Sequence, residues 1–216
     1  MWIIDIISCT VLIAVFIYGI GKLFDKERPL YFKLLICAIG CYALGQFSNT
    51  VLDFCGLFSS VTAFSTSAFC YFGTAVFLLT ANTKGIDGSV CRNTGKKAAR
   101  IALIAPFVYA AFLLFFVISL LPYDPLSGIV SAIILAPNIV NCYYYLLHLL
   151  SAPDEKGILR SIRPVDVLLF LFSFLSILCL IAYWYEFELL GNALEFFVSL
   201  LLLALTAASV KGAKSW

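Results

Sequence analysis

Every lysine and arginine of this 216-residue chain, fourteen in all, falls in one of four short stretches, and long apolar runs lie between them. Positions 22–33 hold Lys22, Lys26, Arg28 and Lys33, and positions 82–100 hold Lys84, Arg92, Lys96, Lys97 and Arg100. Positions 151–164 hold Lys156, Arg160 and Arg163, and the tail holds Lys211 and Lys214. The alternate connections, and the apolar runs beside them, carry Asp5, Asp53, Asp124, Glu186, Glu188 and Glu195 with no cation. Membrane proteins retain Lys and Arg on the cytoplasmic side. The alternation therefore predicts seven spans with the N-terminus outside and the C-terminus inside. One span more or fewer would scatter basic stretches over both faces.

The bulk numbers agree. The chain is 63% hydrophobic and 12% charged, with a mean hydropathy of +1.05, whereas a soluble domain is about half apolar and a quarter charged. The predicted fold is all-α: a polytopic seven-transmembrane-helix bundle forming one domain over 1–216. Its spans run over about 2–22, 30–50, 57–81, 100–121, 126–150, 165–185 and 188–210. The N-terminus lacks the positive region and cleavage site of a signal peptide, so the first run is expected to stay as a helix. Tyr123, Trp184 and Tyr185 sit near span ends, where amphipathic rings suit the headgroup zone. The eight cysteines, including Cys91 in a basic stretch, show no CxxC and no metal-ligand spacing, so neither a disulfide framework, a metal site nor a cofactor is expected. The basic connections suit anionic membrane lipid, not nucleic acid.

Three runs carry polar residues in register. In the fifth, Ser127, Ser131, Asn138, Asn141, Tyr145 and His148 recur at steps of three, four or seven, on one side of a helix that Pro137 interrupts. Lipid cannot satisfy amides and hydroxyls, so this stripe should turn toward other helices. Asn138 and Asn141 are read either as interhelical hydrogen-bonding groups or as ligand contacts, and His148 as a boundary residue. In the third run, Ser59, Thr62, Thr66, Cys70 and Gly73 share a face suited to close helix packing or to lining a cavity. In the seventh, Glu188, Asn192, Glu195, Ser199 and Thr206 form a second stripe. Glu195 lies about 10 Å from the outer end at 1.5 Å per residue. An ionisable group at that depth is a functional candidate, or it faces a wet outer mouth. Ser127 and Ser131 lie at matching depth. The candidate ligand-binding set is Glu195, Asn192, Asn138, Asn141, Ser131, Tyr145 and Thr66. No complete catalytic constellation is present.

Missing residues set several seven-helix families aside: no lysine lies midway along the seventh run for a retinal Schiff base, and no Pro-Gln pair matches the PQ-loop carriers. The segment Phe77-Leu78-Leu79-Thr80-Ala81-Asn82 followed by Gly85-Ile86-Asp87, with Leu159-Arg160 and Arg163-Pro164 before the sixth run, resembles the seven-transmembrane input modules of bacterial histidine kinases and related membrane proteins. That resemblance implies a sensory module in a bacterial plasma membrane. It would recognise a small or lipidic ligand from the extracytoplasmic side and pass the signal to a separate cytoplasmic partner. A small membrane enzyme acting on lipids, using Glu195 and Asp53, and a transporter or channel subunit are the alternatives.

Overall fold

The computed structural model describes residues 2–24, 28–55, 66–85, 95–151 and 158–215. Among them the secondary structure is helical throughout: α1 (Trp2–Leu23), α2 (Leu30–Phe54), α3 (Thr66–Thr80), α4 (Lys96–Ala102), α5 (Ile104–Leu120), α6 (Pro125–Leu135), α7 (Pro137–Leu150), α8 (Ile158–Trp184) and α9 (Glu188–Ser215). A π-helical turn, Ala81–Gly85, extends α3. Among the described residues, six segments are long and apolar enough to cross a membrane: Ile6–Leu23, Leu30–Leu52, Lys96–Leu120, Pro125–Leu150, Arg160–Trp184 and Glu188–Lys214. The expected third span is described from Thr66 onward. Ser59, Thr62, Ile86, Asp87 and Cys91 lie outside the described residues.

Two spans are broken, each by a proline. Pro106 has no amide hydrogen for the carbonyl of Ala102, and its ring crowds that carbonyl, so the helix is interrupted at Leu103. Pro137 acts likewise at Ala136, separating α6 from α7. Asp124 caps α6: its Oδ1 accepts from the Ser127 amide at 3.1 Å, and Pro125 occupies the first helical position.

The helices α1, α2, α3, α8 and α9 enclose one core around Leu12, Phe32, Ile36, Ile39, Leu169 and Leu202. A second core, around Tyr109, Leu113, Phe116, Cys142 and Ile177, joins α5, α7 and α8. Glycines let α2 and α3 approach closely, because a Cβ on Gly45 would stand 2.9 Å from the Tyr71 ring. Arg28 donates to the Ala213 carbonyl at 2.9 Å, which brings the start of α2 beside the end of α9.

Polarity is distributed opposite to that of a water-soluble bundle. Ile17, Phe107, Leu114, Ile118 and Phe197 face outward, more than half exposed, while Asn141, His148 and Asp166 are wholly buried. An outer surface so continuously apolar is stable only against lipid tails.

Candidate functional site

A partly open cavity of about 640 Å³ lies between α2, α3, α6, α7, α8 and α9. Its lining runs from Thr50, Ser67, Ser127, Glu186 and Glu188, near helix ends, down to Thr74 and Asn138. These helix ends are the acidic end of the bundle. Ala75, Val130, Ile134, Leu135 and Leu180 supply apolar wall. Most of the polar groups come from α2, α3, α8 and α9.

The regular spacing of Glu188, Asn192 and Glu195 puts all three on one face of α9, and that face lines the cavity. The Tyr183 hydroxyl of α8 lies 2.6 Å from Glu195 Oε2 and 2.9 Å from Asn192 Oδ1, and donates its single proton within this pair of acceptors. Tyr183 reaches them because α9 carries glycine opposite its ring: a Cβ on Gly191 would fall 2.7 Å from Tyr183 Cε1. On the facing wall, Gln46 Nε2 donates to the Tyr42 hydroxyl at 3.2 Å, and Asn49 Nδ2 donates to the Tyr71 hydroxyl at 3.0 Å. The two phenol rings pack with centroids 5.4 Å apart, and Phe172 meets Tyr42 edge-on at 5.3 Å. At the mouth, Glu186 holds φ at 60°, a left-handed conformation normally left to glycine. It closes α8: the Glu186 amide donates to the Tyr183 carbonyl and the Phe187 amide to that of Ala182.

Beneath the cavity a chain of buried polar groups continues inward. Asn138 Nδ2 donates to the Tyr109 hydroxyl at 3.4 Å, and Asn141 Nδ2 donates to Asn138 Oδ1 at 3.3 Å and to the Ala75 carbonyl at 3.2 Å. Asn82, in the π-helical turn, donates to Asn141 Oδ1 at 3.0 Å. Tyr145 stands next to Asn82 and within electrostatic reach of Asp166. Asp166 accepts from the Tyr31 hydroxyl at 3.2 Å and shares a hydrogen bond with His148 Nδ1 at 3.1 Å. Close by, Arg163 donates to the Ser151 carbonyl.

Of the candidates taken from the sequence, Glu195, Asn192, Ser131 and Asn138 meet in the cavity. Asn141 and Tyr145 are placed in the buried chain below it, as interhelical bonding groups. Thr66 is exposed at the start of α3, one position before Ser67, which does line the cavity. His148 is wholly buried and paired, not a boundary residue. Sequence reasoning missed Tyr42, Gln46, Tyr71, Tyr183 and Asp166. The first two had a signal, because Tyr42, Gln46 and Asn49 repeat the helical spacing that marked the fifth and seventh runs. Ser67, Tyr71 and Thr74 repeat it again. Asp166 had none, since its partners lie 18 and 135 positions away.

Comparison of the chain with protein-family models, with curated proteins and with solved structures finds no match. The fold itself defines the class: a multi-pass, all-helical integral membrane protein with a polar interior and an apolar outer surface. Within that class its own features are the Glu195 cavity and the buried His148–Asp166 pair.

Proposed function

We propose that the chain is a receptor-like, sensory membrane module of seven spans, with its N-terminus outside the cytoplasm of a bacterial cell and its C-terminus inside. It takes a small or lipidic ligand into the Glu195 cavity from the extracytoplasmic side. The observation that carries this reading is the cavity. Its volume of about 640 Å³ falls in the range of small-molecule sites, roughly 300–1,000 Å³, and its apolar wall with a few convergent polar groups is the usual composition of such sites. The orientation rests on the positive-inside pattern, and the Arg28–Ala213 contact supports it by joining two basic stretches at one end. Asp124, Glu186 and Glu188 then lie outside with the cavity mouth.

The polar chain from Asn138 to Asp166 supports sensing in preference to simple storage of a ligand. It runs from the cavity floor toward the basic end: Asn138, Asn141 and Asn82 are hydrogen-bonded in sequence, and the buried Tyr145 and the His148–Asp166 pair lie beyond them. A ligand that alters Asn138 has a contiguous route to helices that end among the basic stretches, where a separate cytoplasmic partner would dock. A lipid-modifying enzyme has less support: the single histidine of the chain is sealed with Asp166 away from the cavity.

The test is native mass spectrometry of the protein purified from membranes, compared with Ser131→Trp, which thrusts an indole into the cavity. A non-covalent adduct on the native chain that is lost from a folded Ser131→Trp protein is the expected result. Identical adduct patterns, or no adduct on either, would refute the reading.

A further inference from the structure

We infer that the cavity selects an amphipathic ammonium ligand: a protonated or quaternary amine, carrying no compensating anion, on an apolar body. This rests on the cavity being the ligand site and adds the chemistry of what enters it. The described lining contains three carboxylates, Glu186, Glu188 and Glu195, and no lysine, arginine or histidine. The sequence extends that asymmetry beyond the described residues. No Lys, Arg or His occurs between positions 34 and 83, 101 and 147, or 164 and 210, the three stretches that supply the whole lining. An anionic head would therefore enter a largely apolar space facing only like charge, while a cation would be drawn in by the acidic mouth.

Two arrangements single out where the head sits. Glu195 is held in place by Tyr183, so its carboxylate is oriented before a ligand arrives. Tyr42, Tyr71, Cys179 and Glu195 all line the cavity, which puts the aromatic wall and the carboxylate around one space. Phenol rings attract ammonium groups through their negative faces, and a carboxylate adds a direct ion pair. Ala75, Val130, Ile134 and Leu135 continue below as apolar wall for an alkyl or aromatic body. Ser176 adds a hydroxyl that is buried, lines the cavity and has no hydrogen-bond partner among the described residues.

The experiment uses the full chain in neutral maltoside micelles and isothermal titration with probes of one chain length: decyltrimethylammonium, decanol and decanoate, with lysophosphatidylcholine as the lipid headgroup arm. Decyltrimethylammonium is expected to bind about tenfold more tightly than decanol, or more, and decanoate most weakly. Glu195→Gln should lower the affinity for the cation about tenfold and leave decanol unchanged. Tyr42→Leu should weaken cation binding more than Tyr42→Phe does, since the ring face is lost only in the first. Equal binding of decanol, decanoate or lysophosphatidylcholine, abolished by Ser131→Trp, overturns the cation preference and keeps the cavity as a ligand site. Absence of binding by all four probes overturns both.

Discussion

The buried His148–Asp166 pair offers the most quantitative test of how this bundle holds together. Tyr31, His148 and Asp166 are each 0% exposed, and Asp166 is the acceptor for the first at 3.2 Å and the partner of the second at 3.1 Å. Asp166→Leu removes one acceptor from a phenol and one partner from an imidazole. Each lost partner costs a buried polar group about 1–3 kcal/mol, and breaking a buried pair from one side costs about 3–5 kcal/mol. In bilayers the unfolded helices find other partners, which lowers the worth of each bond toward about 1 kcal/mol. The expected loss for Asp166→Leu is therefore about 3 kcal/mol. His148→Leu leaves the Tyr31–Asp166 bond standing and should cost about 2 kcal/mol on the same scale. In the double variant the imidazole is gone along with its carboxylate and only the Tyr31 hydroxyl still lacks Asp166, so the loss should fall short of the sum by about 1–2 kcal/mol. Reversible unfolding in mixed micelles, titrated with dodecyl sulfate and followed by tryptophan fluorescence, measures all three. Strictly additive losses, or a loss below about 0.5 kcal/mol for Asp166→Leu, would refute the argument that these residues act as one unit.

Other consequences follow from single positions. Gly191→Ala places a Cβ 2.7 Å from the Tyr183 ring, so titration should show weakened cation binding, while unfolding shifts by less than about 1 kcal/mol because the helix-propensity gain offsets the crowding. Glu186→Gly relieves a left-handed backbone at φ 60° and should raise stability by about 1 kcal/mol in the unfolding titration, with weaker capture of the cationic probe. Asn141→Leu breaks bonds to Asn82, Ala75 and Asn138 and should lower the unfolding midpoint by about 1–2 kcal/mol. Hydrogen bonds from Ser127 hold the Asp124 carboxyl below its ordinary value. A depressed carboxyl stabilises the fold above its unfolded value of about 4 and loses that contribution as pH falls through the lower folded value. Thermal midpoints of the native chain and Asp124→Ala should accordingly differ at neutral pH and converge in acid.

Local pattern carried the α9 face and the proline break at Ala136, since both follow from spacing along one helix: Glu188, Asn192 and Glu195 needed no knowledge of a neighbour. The break at Leu103, by contrast, was not expected although Pro106 announces it, because the apolar run reads through without a change of polarity. The polar stripe of 127–150 was legible as a stripe but not as two sites. Asn138 and Ser131 face the cavity, while Asn141 and Tyr145 face α3, the π-helical turn and the Asp166 cluster. Periodicity groups residues by helix face, and depth decides which neighbour that face meets.

The sequence alone determined the class of molecule and its expected orientation, because hydropathy and the sorting of Lys and Arg are sums over segments that ignore how the segments pack. Only the tertiary structure decided that Tyr42 and Tyr71 stand across a cavity from Glu195, that Tyr183 reaches over Gly191, and that His148 finds Asp166. Those pairings depend on crossing and rotation of helices far apart in the chain. Small residues and buried polar bonds set that geometry, and no single stretch contains both partners.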